Sequence, residues 1–264
     1  MTSPILLTGG TGTLGRQVVP LLRARDHKLR ILSRSGHEPA DGIEYATGDL
    51  ATGDGVEAAV TGTEIIVHLA GTMKGDEDKA ATLVRAAADS GVRHLVYISV
   101  VGADRVPVVS RTDRAMFGYF ASKLAAERVV IDSGLPWTIL RATQFHDLIQ
   151  MTARQLTKLP VVPTFAGVRF QPVDARDVAE RLVELALDRP VGLAADIGGP
   201  QVYGMKELMR SYLRATGKHR LTMPIRTPGK ASEAYRAGAN LTLDGATIGT
   251  RTWEDFLAEQ IASP

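Results

Sequence analysis

Apolar residues along the chain fall into short solid runs separated by stretches of helical spacing. Ile5-Leu6-Leu7 forms the first run. After it, Leu14, Val18, Leu21 and Leu22 recur at three- and four-residue intervals, which predicts a helix over Thr13 to Arg25, bent at Pro20. The alternation repeats. Strands are predicted at Leu29 to Ser33 and around Ile43 to Tyr45, with a short helix after Asp54. The run Ile65 to Ala70 is apolar almost throughout, the pattern of a strand covered on both faces. A helix over Lys79 to Ser90, closed by Gly91, leads to a strand at Leu95 to Ser99. The longest helix, 113 to 132, ends at Ser133-Gly134 before a strand at Trp137 to Arg141. Past residue 145 the pattern loosens into helices near 174 to 187, 204 to 216 and 250 to 262, a strand near Ala195 to Ile197, and Pro/Gly-rich connections.

Strands alternating with helices of this length predict an α/β fold, a doubly wound parallel sheet over residues 1–145, with a smaller, interleaved C-terminal lobe over 146–264. A chain of 264 residues with 44% hydrophobic content has material for a substantial core. Its 31 lysines and arginines against 29 acids leave +2, no electrostatic reason to expect nucleic acid or membrane as partner. The absence of cysteine removes disulfides, thiolate metal sites and cysteine nucleophiles, and fits a reducing cytoplasm. Met1-Thr2-Ser3-Pro4 shows no basic or apolar leader, and no apolar run approaches the roughly 18 residues of a membrane span. The expected setting is therefore cytoplasmic, with a small-molecule substrate.

The first strand runs into Thr8-Gly9-Gly10-Thr11-Gly12-Thr13-Leu14-Gly15. The spacing reads as Gly9-x-x-Gly12-x-x-Gly15 or as Gly10-x-Gly12-x-x-Gly15, and both place bare backbone where a pyrophosphate meets a helix N-terminus. Gly9, Thr11, Gly12, Thr13, Leu14 and Gly15 are the expected phosphate cradle of a Rossmann dinucleotide site. About 20 residues on, NAD binders place an acid at the end of the second strand. Here stand Ser33-Arg34-Ser35, with a guanidinium fork and two hydroxyls suited to a 2′-phosphate, so NADP(H) is preferred. Asp49 and Leu50 after the third strand are expected beside the adenine, and Leu69, Ala70 and Gly71 after the fourth under the middle of the cofactor.

Within the long helix, Tyr119 and Lys123 are four residues apart and share a face. A protonated lysine near a phenol favours phenolate, which equips the tyrosine to exchange a proton with a substrate oxygen during hydride transfer. Ser99, at the end of the fifth strand, is placed to bond the same oxygen. The histidines show no metal-ligand spacing; His68 reads as a core residue, and His146-Asp147 is a minor candidate for substrate contact. Arg169 to Asp174 reads as a turn into the next helix, and no GxSxG elbow is present.

The segments LLTGGTGTLG, ILSRS, GDL, HLAG, YISVVGAD, YFASKLAAE, ILRATQFHD and FQPVDARDVAE resemble the atypical, NmrA-like branch of the short-chain dehydrogenase/reductase superfamily over nearly the whole chain. The resemblance implies an NADP(H)-dependent oxidoreductase, with Tyr119 as proton donor, Lys123 as ribose-binding and pKa-lowering lysine, Ser99 holding substrate, and Thr143, Gln144 and Phe145 bordering the nicotinamide. Only about 20 residues separate Ser99 from Tyr119, a short interval for that family. Two other readings stay open: an NADP(H)-binding sensor or regulator without turnover, and an isomerase or epimerase that uses its cofactor transiently.

Overall fold

A computed structural model of the chain describes residues 3–38 and 42–262; Met1 and Thr2 of the N-terminal segment discussed above lie outside the described residues. In chain order the elements are β1 (Ile5–Thr8), α1 (Gly15–Arg23), β2 (Leu29–Ser33), β3 (Ile43–Thr47), α2 (Val56–Val60), β4 (Ile65–His68), α3 (Asp76–Ala87), β5 (His94–Val100), α4 (Arg111–Ile131) and β6 (Trp137–Ala142). There follow α5 (His146–Leu156), β7 (Val161–Phe165), β8 (Arg169–Phe170), α6 (Ala175–Leu187), β9 (Gly192–Leu193), β10 (Ile197–Gly198), β11 (Tyr203–Gly204), α7 (Met205–Ala215), β12 (Leu221–Ile225), α8 (Lys230–Ala237), β13 (Thr247–Ile248) and α9 (Trp253–Ala262). Among the described residues no helix is long and apolar enough to cross a membrane.

The chain divides into two compact units. The first comprises the described part of Met1–Ser99 together with Ala121–Arg141 and Val178–Ala194. Its parallel strands lie in the order β3-β2-β1-β4-β5-β6, with β9 beside β6. The reversal of strand order beside β1 opens a crevice at the C-terminal ends of β1 and β4. The solid apolar runs form the central strands: Leu6, Leu7, Ile66, Val67, Val96, Ile139 and Leu140 have essentially no exposed surface. Two helix starts move from the expected positions. α1 begins at Gly15 because the glycine turn occupies Thr13, and it carries Pro20 without ending there. α3 begins at Asp76, where Gly75 in the left-handed region turns the chain and Asp76, Glu77 and Asp78 face the positive end of the helix dipole.

The second unit comprises Val100–Phe120, Ala142–Asp177 and Ala195–Pro264, described here to residue 262. Its core packs Ile149 and Ala153 of α5 and Val162 of β7 with Leu208, Met209 and Tyr212 of α7 and Trp253, Phe256 and Leu257 of α9. β7 and β12 form a two-stranded parallel sheet in which Leu221 pairs with Val161 and Met223 with Pro163. Arg169 to Asp174 is more than a turn: β8 pairs antiparallel with β11, and Gln171 bonds both the Gly199 carbonyl and the Thr242 amide.

Candidate nucleotide-binding site

The glycine turn is built in the first unit from the exit of β1 to the start of α1. Gly9 has φ +72°, and a side chain there would put its Cβ 2.7 Å from the Ala70 amide nitrogen and 2.8 Å from the Leu69 carbonyl carbon. The exits of β1 and β4 are thus pressed together at a point only glycine fills. The Gly12 amide donates to the Gly9 carbonyl at 3.0 Å, and the Arg16 guanidinium donates to the Thr11 carbonyl at 3.0 Å. A Cβ on Gly15 would collide with the Gly9 carbonyl and the backbone of Gly10. Gly12 differs: it is exposed, and a Cβ there meets only the Gly9 oxygen, at 3.3 Å. Gly9 and Gly15 hold the turn, while Gly12 keeps its outer surface bare. No side chain caps α1 at Leu14, so the first-turn amides and the positive helix end suit a phosphate oxygen.

Beyond the turn, Ser33 closes β2 and accepts the Gly48 amide on its carbonyl at 2.9 Å, which fixes the Gly48-Asp49-Leu50 loop beside it. The Ser33 hydroxyl accepts the Ser35 amide at 3.3 Å and lies 3.1 Å from His37 Nε2. Arg34 and Ser35 are exposed, whereas Leu50 is buried and Asp49 accepts the Ala51 amide at 2.8 Å.

Lys123 is almost fully buried. Its Nζ lies 3.1 Å from Asp76 Oδ2 and donates to the Tyr97 hydroxyl and the Ile98 carbonyl, both at 3.2 Å. Burial pulls its pKa down, and Asp76 opposes that. Gly71 passes over this pair, where a Cβ would stand 3.1 Å from Asp76 Oδ2 and 3.2 Å from Lys123 Nζ. Asp76 has no exposed surface and accepts the Thr72 amide at 2.7 Å. His68 stacks on Tyr97 at 5.3 Å between ring centroids, and its Nδ1 shares a 2.6 Å hydrogen bond with Oγ1 of Thr8, its register partner in β1. Burial, helped by the charge on Lys123, pushes His68 down to about 3, so it is neutral at physiological pH. His68 is therefore a core residue as expected, yet its Nε2 and the Ser99 hydroxyl are both buried without a hydrogen-bond partner. Spacing by two along β5 links Tyr97 to Ser99, a signal present in the sequence and not used. Asp76 carried none, since an acid in the first turn of a helix reads as a dipole partner.

In the second unit, Tyr119 is half-buried on α4 with its ring edge-on to Phe120, their centroids 6.0 Å apart. The phenol of Tyr235 is buried, which, together with Tyr119, raises its pKa. Thr143 donates to the Gln171 carbonyl at 2.5 Å, the Gln144 amide group to the Asn240 carbonyl at 3.5 Å, and Phe145 bridges to Val173 and leads into α5. His146, the minor candidate for substrate contact, has no exposed surface. It packs against Trp253 and Phe256, with Nε2 3.1 Å from the Pro172 carbonyl oxygen and Nδ1 3.8 Å from Asp174 Oδ2, so it serves the core of the unit. Among the described residues no group of three His, Asp or Glu side chains is arranged for a metal ion.

Residues 9–189 match the model of a family described as NAD(P)H-binding. The chain belongs to that family. It is 27% identical over 222 residues to the NAD(P)H azoreductase of Xenophilus azovorans, covering 81% of this chain and 74% of that protein. It is 28% identical over 263 residues to the (4-alkanoyl-5-oxo-2,5-dihydrofuran-3-yl)methyl phosphate reductase of Streptomyces griseus, covering 92% and 88%. Among solved structures, the NADPH-dependent quinone oxidoreductase QOR2 of Escherichia coli in complex with NADPH superposes with a TM-score of 0.78 at 18% identity, over 97% of this chain and 99% of that one. The Citrobacter triphenylmethane reductase in complex with NADP(H) gives 0.74 at 20% identity, over 98% and 99%. These two likenesses establish the fold, and the bare turn at Gly12 fits the nucleotide that the family binds.

Proposed function

We propose that the chain is an NADP(H)-dependent oxidoreductase of the NmrA-like short-chain dehydrogenase/reductase type, acting on a small carbonyl, enone or quinone-like substrate. The observation that carries the reading is the exposed, side-chain-free Gly12 at the uncapped start of α1. Relatives named as reductases, at 27% and 28% identity, support the reaction class. The bound nicotinamide supplies or accepts the hydride. Thr11, Gly12, Thr13 and the Leu14-Gly15 helix start hold the pyrophosphate, and Arg34 with Ser33 and Ser35 holds the 2′-phosphate. Asp76 and Tyr97 position Lys123, the unpartnered Ser99 hydroxyl bonds the substrate oxygen, and Tyr119 exchanges its proton. Thr143, Gln144 and Phe145 border the nicotinamide.

The test is a carbonyl, enone and quinone panel followed by NADPH absorbance, with NADPH affinity measured by calorimetry alongside. Turnover with at least one acceptor is expected, and Gly12→Val should stay folded while losing NADPH binding. Unaltered affinity in that variant would return the turn to a purely structural role. A second reading, an NADP(H)-binding regulator without turnover, is favoured by one feature: Lys123 is committed to a buried carboxylate. Tight NADPH binding with no turnover across the panel would select it.

A further inference from the structure

The second unit holds a cleft of about 1360 Å³ along the exposed face of α7, bounded by the segments Lys158 to Pro160 and Gly217 to Leu221. Its charge is one-sided: Lys158, Lys206, Arg210, Arg214, Lys218 and Arg220 line it against the single carboxylate of Glu207. That is a local +5 in a chain whose total is +2, so the rest of the molecule is net acidic. Lys206, Arg210 and Arg214 follow one another at one-turn intervals on α7, a row of like charges that weakens an isolated helix. Among the described residues none of the three forms an ion pair with a carboxylate. Folding does not ask for this arrangement.

A second observation comes from the sheet that begins at the same cleft. On one face of the β7–β12 pair, Val162 and Thr164 are buried. On the other, Val161, Leu221 and Met223 are 37%, 75% and 52% exposed, and Leu159, between two cleft residues, is 45% exposed. Large aliphatic side chains therefore rim a basic hollow, and Leu221 belongs to both.

We propose that this face docks the chain on a bilayer rich in anionic phospholipid, with headgroup phosphates in the basic cleft and Leu159, Val161, Leu221 and Met223 entering the acyl boundary. Basic residues beside exposed aliphatic ones are the composition that holds a protein at a membrane interface without spanning it. A soluble phosphate would use the cations and leave the apolar rim unexplained. A protein partner is less well served: no Trp or Tyr stands in the cleft lining to anchor it, and Pro163 and Pro224 impair addition of a further strand to either edge of the pair. The proposal is independent of turnover and of the nucleotide turn.

The experiment is flotation of the full chain with phosphatidylcholine vesicles and with vesicles containing about one third phosphatidylglycerol. Binding is expected to the anionic vesicles alone, weakening as salt rises. Arg210→Ala with Arg214→Ala should lower it on the order of 30-fold, taking about 1 kcal/mol per basic residue near the surface. Leu221→Ser with Met223→Ser should weaken binding while leaving its salt dependence in place. All four positions are exposed, so circular dichroism is expected to show the parent fold. Equal binding to neutral vesicles, anionic binding indifferent to the arginine pair, or displacement from vesicles by millimolar inorganic phosphate with the apolar pair having no effect would each overturn it. So would tight binding of an acidic peptide in a chain that ignores vesicles.

Discussion

Two sites, one in each unit, use lysine and arginine in opposite ways. In the first, Lys123 is buried and three polar partners answer its charge: a carboxylate at 3.1 Å, and a phenol and a carbonyl at 3.2 Å. In the second, Lys206, Arg210 and Arg214 stand exposed in a row with only Glu207 of opposite sign in their cleft. A buried cation must be compensated where it sits, because desolvation costs several kcal/mol, whereas an exposed one is solvated by water and its like-charge neighbours cost tenths. Concentrated charge without internal partners therefore points outward, to a ligand, while a partnered buried charge points inward, to architecture and the positioning of a site.

The strongest way to break that contrast is to remove the compensation. Asp76→Asn should cost about 3 to 5 kcal/mol in chemical denaturation, because it strands a buried ammonium. Asp76→Asn combined with Lys123→Met should recover much of the loss, since the buried ammonium is then gone and only the partly exposed Lys79 has lost its carboxylate. If the single variant lost less than about 1 kcal/mol, the pair would be no more than a surface ion pair in energetic terms.

Arg34 tests whether an exposed cation of the first unit also points outward. Arg34→Ala should leave stability and NADH affinity nearly unchanged and erase about 1.5 to 3 kcal/mol of NADPH preference, the worth of a charge-assisted bond to phosphate. Equal affinity of the parent chain for both cofactors, read by calorimetry, would end the assignment of the 2′-phosphate to this strand end.

These contrasts show how far the sequence carries. Solid apolar runs gave β1, β4 and β5 because strands buried on both faces leave no polar register to hide them. In the second unit, β7 and β12 fell among the Pro/Gly-rich connections, yet the pair forms and carries Pro163 and Pro224, because a two-stranded sheet leaves each strand a free edge where no donor is needed. α5 and α8 were missed as well: in α5 the helical spacing of Ile149, Ala153 and Leu156 is crossed by the exposed Leu148 and Met151, and α8 buries only Ala231, Ser232 and Tyr235. At the turn after β1, the tight glycines were legible because backbone sterics are local: a Cβ on Gly9 or Gly15 meets neighbouring backbone. Asp76 was not, because its partner arrives from α4, and the basic cleft was not, because three separated segments supply it and the total charge conceals it.

Buried histidine sharpens the contrast by titration. His68 falls from an ordinary 6.5 to about 3 on folding, so below pH 6.5 the unfolded chain binds a proton that the folded chain refuses. Stability is then lost as pH falls, by up to about 1.4 kcal/mol per unit, from about 6.5 down to about 3. His94, lowered mainly by burial, adds to the loss below 6.5, and the carboxylates join in its acid half. Urea midpoints measured at half-unit steps should show the slope, and His68→Asn should remove the larger part of it. A slope unchanged by that variant would place the acid sensitivity elsewhere.

The smallest effect has the most telling sign. Lys206 is exposed in the first turn of α7, where the helix dipole repels a cation, and it sits one turn from Arg210. Both interactions oppose folding, and glutamine has nearly the same helix propensity as lysine. Lys206→Gln should therefore stabilise the protein, by roughly 0.5 kcal/mol at low ionic strength, with the gain fading as salt screens the charges. A gain in stability would mark Lys206 as a residue whose charge the fold itself does not use, as the proposed docking face requires. Thermal melts of the two proteins at low and high salt decide the matter, and a destabilised variant would mean that Lys206 has an internal role after all.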